Sequence, residues 1–181
     1  MELLSRATAI LLLITLSPFL LIIGIGSLVI QGRPIIYRQT RVGKHFKEFF
    51  IYKFRTMRIE DGDRNNFNSG QAAVLTKWGR FLRKTKLDEL PQLANIIKGD
   101  MRFIGPRPEV PEYVSEESFS FLHLIKPGLS GFSSILFRNE SEIWTMIDSD
   151  DPYKDILKIK VGLAKYYVNK KSFIQDLKLV M

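Results

Sequence analysis

The chain has 181 residues, a length that suits one domain with a core of its own. Lys and Arg number 27 against 19 Asp and Glu, a formal charge of +8, so an anionic partner is expected: nucleic acid, anionic lipid or a phosphorylated substrate. There is no cysteine, which excludes disulfides and thiolate metal sites, and His45 and His123 lie far apart in sequence, which argues against a zinc centre or a Ser-His-Asp triad.

From Ala7 to Ile30 the chain is almost purely apolar, with no charge between Arg6 and Arg33. As one helix this run reaches about 36 Å, enough to cross the hydrocarbon core of a bilayer. It is too long for a signal-peptide core and lacks the flanks of a cleavage site, so it reads as a membrane segment. Gly24-Ile25-Gly26 inside it is not a nucleotide loop, because no third Gly follows and no strand precedes it. Ser17-Pro18 stands at the middle, where Pro18 removes a backbone hydrogen bond and predicts a kink. Two readings stay open on the residues alone. One is a kinked spanning helix. The other is a re-entrant hairpin of two halves, each about 17–20 Å long and too short to cross, with both ends on one face. Arg33, Arg38, Arg41 and Lys44 place the remainder of the chain on the cytoplasmic side in either case.

Ile35–Arg38 and Phe49–Phe54 are rich in aromatic and β-branched residues, with Val42-Gly43-Lys44 as a turn between them, so a small β-hairpin is expected. Lys53, Arg55 and Arg58 crowd its end. They read either as a basic face at a membrane surface or as a phosphate-binding wall. Residues 60–71 are polar and rich in Gly and Asn, a loop. Thr76–Lys84 resumes a helical pattern with Trp78, Phe81 and Leu82 on one face and Thr76 as its cap.

Next comes LRKTKLDELPQLANIIKGDMRFIGPRP, from Leu82 to Pro108. A basic run (Arg80, Arg83, Lys84, Lys86) leads into Asp88 and Glu89. Pro91 then suits the first turn of a helix, where its missing N–H would have no partner. The two acids are thus expected at or just before a helix start, whose dipole favours the carboxylate form. Locally the plain reading is a helix cap; the chemical one is a carboxylate nucleophile towards phosphorus, set among cations. Arg107 is held between two prolines. Glu109–Ile125 reads as a further helix, ended by Lys126-Pro127-Gly128, and Ser130–Phe137 as a strand or a loop. Asn139-Glu140-Ser141 matches a glycosylation acceptor, which means nothing on a cytoplasmic domain. From Asp150 to the end a helical pattern returns. Ile156, Ile159, Leu163, Tyr166 and Tyr167 recur at helical spacing among lysines, and Phe173, Ile174, Leu177, Leu179 and Val180 continue it. Such a helix either packs on the core or lies in the lipid interface.

Several long blocks carry a resemblance: GRPIIYRQTRVG, YKFRTM, LRKTKLDELPQLANIIKGDM, and FIGPRPEVPEYV followed by KPGLSG. Over nearly the whole chain, from Ser17-Pro18 to YYVNKKSFIQDLKLVM, the sequence resembles the bacterial sugar transferases, the monotopic polyprenyl-phosphate phosphoglycosyl transferases. The resemblance implies transfer of a sugar phosphate from a UDP-sugar to undecaprenyl phosphate, with release of UMP. It also implies a covalent phosphosugar on Asp88, with Glu89 beside it and Mg²⁺ held by the two acids. Lys53, Arg83 and Arg107 would be phosphate or nucleotide contacts, and Arg55 belongs with them if the basic wall binds phosphate. The membrane helix would be re-entrant, broken at Ser17 and Pro18.

The expected fold is α+β and mostly helical, with that helix over residues 1–31 integrated with a catalytic domain over 32–181. A small hairpin and several amphipathic helices at the interface complete it, on the cytoplasmic face of the bacterial inner membrane. The implied partners are the UDP-sugar, the polyprenyl phosphate and membrane lipid, with no nucleic acid beyond the uridine nucleotide and a homodimer left open. Two departures stand out. Phe132-Ser133-Ser134-Ile135 replaces a Trp- or Leu-Ala-Gln run found in many members, and the chain ends soon after Asp176-Leu177-Lys178, as a minimal catalytic form. The alternative from another class is a membrane-tethered basic module that binds anionic lipid or nucleic acid without catalysis. It accounts for the charge and the anchor, but not for acids set within the basic region.

Overall fold

The computed structural model describes residues 2–58, 75–138, 151–172, 175–176 and 179. Residues 60–71, Asn139-Glu140-Ser141, Phe173, Ile174, Leu177 and Val180 lie outside them. Helix α1 runs from Glu2 to Gln31. Gly32, with a φ of +70°, closes it in the left-handed conformation, its N–H donating to Leu28 O at 2.9 Å. The helical assignment runs on through Ser17-Pro18. The reason is local. A proline at 18 deprives the Ile14 carbonyl of its helical donor, and the Ser17 hydroxyl supplies another, donating to Ile14 O at 2.7 Å.

The hairpin forms as expected, with longer strands: β1 (Ile36–Val42) and β2 (Glu48–Phe54) are antiparallel, Tyr37 opposite Lys53 and Thr40 opposite Phe50. Helix α2 (Lys77–Thr85) begins at the predicted cap, where Thr76 Oγ1 accepts from the Gly79 N–H at 2.8 Å. A 3-10 turn, Leu87–Gln92, runs straight into α3 (Leu93–Lys98). Short strands β3 (Arg102–Ile104) and β4 (Gly128–Ser130) pair in parallel. They are followed by α4 (Phe132–Leu136) and by α5 (Pro152–Lys170), which Asp151 caps by accepting from the Lys154 N–H at 3.0 Å.

Two expectations fail here. Residues 109–125 are not one helix but hold two 3-10 turns, Pro111–Tyr113 and Ser120–His123, with Val114 extended after the first. Pro111 lacks a donor, the Glu109 carbonyl accepts from the Val42 N–H, and the Ser115 hydroxyl accepts from the Ser118 N–H, so helical bonding is outcompeted. Within residues 130–137 the chain is mainly the helix α4. On α5 the buried positions are Ile156, Ala164 and Tyr167, whereas Ile159 and Tyr166, expected on the same face, are exposed.

Three apolar clusters form the core. One joins Val42, Phe119, Phe121, Leu122 and Ile125 to Ala164 and Tyr167 of α5. The other two include α1: Ala9, with Leu13 and Leu16, packs on Ile51, Leu93, Ile96 and Met101, while Ile23, with Leu20, packs on Phe54 and Leu82. The contact continues to both ends of the helix. Glu2 pairs with Lys126 at 3.0 Å, Arg6 closes over Gly99, Ser27 accepts from Trp78 Nε1 at 2.9 Å, and Gln31 Nε2 donates to Arg55 O at 2.9 Å. These α1 positions advance by threes and fours, one face of a helix along its entire length. The opposite face, with Leu4, Leu11, Ile14, Leu21, Ile22, Ile25 and Val29, is exposed and apolar. By length and apolarity α1 could cross a membrane.

Candidate active site

Two scaffolds bring the sequence-predicted residues together. The first is the outer edge of β2, the edge not used by β1. Asn95 of α3, fully buried, inserts its carboxamide there: Oδ1 accepts from the Tyr52 N–H at 3.2 Å and Nδ2 donates to Phe50 O at 2.6 Å. This sets the acid-bearing 3-10 turn alongside Lys53. The second scaffold is the Pro-Arg-Pro corner. Gly128 N–H donates to Pro106 O at 2.8 Å and Gly105 N–H to Ser130 O at 2.9 Å, so close that a Cβ on Gly128 would meet the Gly105 nitrogen at 2.1 Å. Beyond Arg107, Arg41 ties the corner to β1, its Nη1 donating to Glu109 Oε1 at 2.8 Å. Arg107 thus projects from a segment held on both sides.

Glu89 is where these scaffolds meet. Its Oε1 accepts from Lys53 Nζ and from Arg107 Nη2, each at 2.7 Å. Burial alone would raise the Glu89 carboxyl, but Arg107 and then Lys53 override it and hold it well below the usual carboxylate range. Lys53, whose side chain keeps 17% of its surface exposed, is pushed down to about 8 by burial and by Arg107, against the pull of Glu89.

Asp88 is treated differently. It is 6% exposed, and its Oδ1 has no hydrogen-bond partner among the described residues. The capping reading does not hold: the turn starts at Leu87 after Lys86 in the left-handed conformation, and no side chain caps it. The expected preference for the ionised form is also reversed. Burial pushes the Asp88 carboxyl up, Glu89 adds to this, and Lys53, Arg83 and Lys86 oppose it without prevailing. A carboxylate shielded from solvent by burial is a stronger base than a solvated one, a property that suits a nucleophile.

Arg83 belongs to this group. Its charge acts on both acids, and its Nε donates to Thr56 Oγ1 at 3.0 Å. Close packing sets that distance, since a Cβ on Gly79 of the same helix would fall 1.9 Å from Thr56 O. Arg55 does not join them. It is 5% exposed, and its Nη2 donates to the carbonyls of Gln31 and Gly32 at the C-terminus of α1, the latter at 3.0 Å. Ser17 and Pro18 lie within α1. Sequence reasoning missed Asn95 and Thr56. Asn95 left one signal, a polar residue at a core position of the apolar pattern LANII.

Comparison with known proteins gives a consistent set of likenesses. A family model described as bacterial sugar transferase matches residues 2–181. A sugar transferase of Bacillus subtilis, EpsL, is 38% identical over 82% of this chain and 67% of its own length. The UDP-glucose:undecaprenyl-phosphate glucose-1-phosphate transferase of Xanthomonas campestris is 33% identical over 98% of this chain and 36% of its own. The UDP-N-acetylgalactosamine-undecaprenyl-phosphate N-acetylgalactosaminephosphotransferase of Aeromonas hydrophila is 31% identical over 91% and 38%. The chain therefore spans little more than a third of the last two relatives.

Proposed function

The chain belongs to the bacterial sugar transferases, and from that membership we propose that it moves a sugar phosphate from a UDP-sugar to membrane undecaprenyl phosphate, releasing UMP. The observation that carries this reading is the buried Oδ1 of Asp88, without a hydrogen-bond partner among the described residues, beside Glu89 and in reach of cations from three separate segments. In the first half-reaction Asp88 attacks the phosphorus that bears the sugar. The bond from that phosphorus to the bridging oxygen breaks, and UMP leaves with the bridging oxygen. In the second, a phosphate oxygen of the lipid attacks the aspartyl phosphosugar, which frees the Asp88 carboxylate and gives the polyprenyl-diphosphate sugar. Lys53, Arg83 and Arg107 spread positive charge around the phosphoryl oxygens, where most of the catalysis of such a transfer resides.

Mg²⁺, implied by the resemblance, fits this pair of acids. The open Asp88 oxygen suits a hard cation, and Mg²⁺ takes one or two protein carboxylates and completes its shell with phosphate and water oxygens. Glu89 would contribute by sharing an oxygen now bonded to Lys53 and Arg107. Bound there, the ion would neutralise diphosphate charge.

The seating of α1 supports a membrane association from one side. A straight crossing would put its ends about 45 Å apart on opposite faces, yet Glu2 and Gln31 are both bonded to the same domain. Both ends would then lie on the cytoplasmic face of the bacterial inner membrane, with the exposed apolar face of α1 in lipid. The test is product analysis with UDP-sugars, Mg²⁺ and undecaprenyl phosphate. UMP release, and exchange of labelled UMP into UDP-sugar without lipid acceptor, are expected. UDP release would identify a conventional glycosyltransferase instead. No nucleotide release with any UDP-sugar would leave the binding-module reading.

A further inference from the structure

Asn95 has no place in the transfer chemistry at Asp88, yet it is the fully buried polar side chain closest in sequence to the two acids on the α3 side. Its contacts are those of a peptide group. The carboxamide accepts from one β2 residue and donates to the carbonyl two residues earlier, as a further strand would on that edge. The Asn95 backbone carbonyl meanwhile accepts the N–H of Gly99 and Asp100, at 3.1 and 3.0 Å, and so ends α3. One residue therefore fixes where α3 stops and where it meets β2.

Lys53 follows Tyr52 directly, and its ammonium reaches Glu89 six positions upstream of Asn95. Among the described residues, strand and helical segment thus touch through three polar links: the Asn95 amide on Phe50 and Tyr52, Lys98 Nζ donating to the Tyr52 hydroxyl at 2.6 Å, and the Lys53–Glu89 ion pair. The two lysine links alone cannot set the register, because a lysine stem is long and rotates freely. The planar amide with two directed bonds can.

We propose that Asn95 is a positioning residue, which sets the register of β2 against the acid-bearing segment and so holds Lys53 and Glu89 in their paired geometry beside Asp88. This deepens the proposed sugar-phosphate transfer and rests on it. Removing the amide orphans two backbone groups on the β2 edge and lets the Lys53 ammonium move relative to Asp88. A misplacement on the order of 1 Å is enough to slow a reaction about a hundredfold.

The experiment uses the full-length protein in detergent or nanodiscs, with Asn95→Ala and Asn95→Asp beside wild type. Two quantities are read: the fraction of protein labelled covalently by UDP-sugar radiolabelled in the sugar, and the UMP-exchange rate per labelled site. Expected for Asn95→Ala is a labelled fraction close to wild type, an exchange rate per site down tenfold or more, and a KM for UDP-sugar within about twofold. Asn95→Asp keeps the acceptor for Tyr52 and loses the donor to Phe50, so its rate should fall less. A reduced labelled fraction with an unchanged rate per site would overturn the proposal, since fewer good enzymes is the signature of a merely structural residue. An unchanged rate and fraction would overturn it too, as would failure of both variants to fold. Wild-type protein that gives no label removes the underlying reading, and this inference with it.

Discussion

Lys53 and Arg55 lie two residues apart where β2 ends, and they arrive at opposite ends of a spectrum. Arg55 is sunk against the carbonyls of Gln31 and Gly32, where its Nη2 donates to both at the negative end of the α1 dipole. Lys53 meets a carboxylate that Arg107 already shares. Among the described residues, Lys53, Arg83 and Arg107 surround Asp88 and Glu89, a setting that suits an entering anion. A basic residue that has found backbone carbonyls builds the fold, whereas one that competes for a carboxylate remains available to a phosphate.

The sharpest way to break this contrast is to remove the proposed nucleophile, Asp88, from the cationic region. Asp88→Asn should fold, because the side chain it replaces makes no cap and its Oδ1 makes no hydrogen bond among the described residues. It should lose UMP exchange and turnover by about three orders of magnitude or more. Full exchange by the purified, deamidation-free variant would return Asp88 to a structural role. Next in size is Arg107→Ala, expected to lower turnover at least about tenfold while changing stability by less than about 1 kcal/mol, as for other partly exposed ion pairs. Thermal unfolding beside steady-state rates would show both.

The charge states give a third effect. The proposed attack needs Asp88 ionised, and burial raises its carboxyl, so the acid limb of the rate profile should lie above the ordinary Asp value. The proposed phosphate contact needs Lys53 protonated, and burial with Arg107 brings it to about 8, so the rate should fall as pH rises through that value. Lys53→Arg stays charged and should remove the alkaline limb. The α1 side of the comparison yields the smaller effects. Arg55→Ala should cost about 1.5–3 kcal/mol of stability and leave turnover per folded molecule unchanged. Gln31→Leu, which loses the bond to Arg55 O and the one it accepts from Thr76 Oγ1, should cost about 1 kcal/mol by the same measurement.

What could be read from the sequence was what is local. Thr76 caps α2 because a cap is set by four residues, and the hairpin arises from β-branched and aromatic runs flanking a turn. The acids stood out because long neighbouring blocks resemble a family, not because Asp-Glu before a proline is rare. The destination of Arg55 was not legible, since the carbonyls it meets lie 23 and 24 residues earlier. Nor was the loss of the helix at 109–125, where a bond from Val42 takes the Glu109 carbonyl. Continuity through Pro18 depended on a single hydroxyl in place of an absent N–H. Asn95 reads as a weak core residue until the edge of β2 is seen beside it.

The docking of α1 along its whole length also has a consequence in time. α1 precedes its partners in the sequence, so during synthesis Arg6 and Gln31 emerge before Gly99 and Arg55. The Glu2–Lys126 contact closes over 124 residues. Contacts that distant form late and slow folding. Until Gly99, Trp78 and Lys126 arrive, Arg6, Ser27 and Glu2 of α1 lack these contacts, and the domain completes itself by folding onto a helix that precedes it.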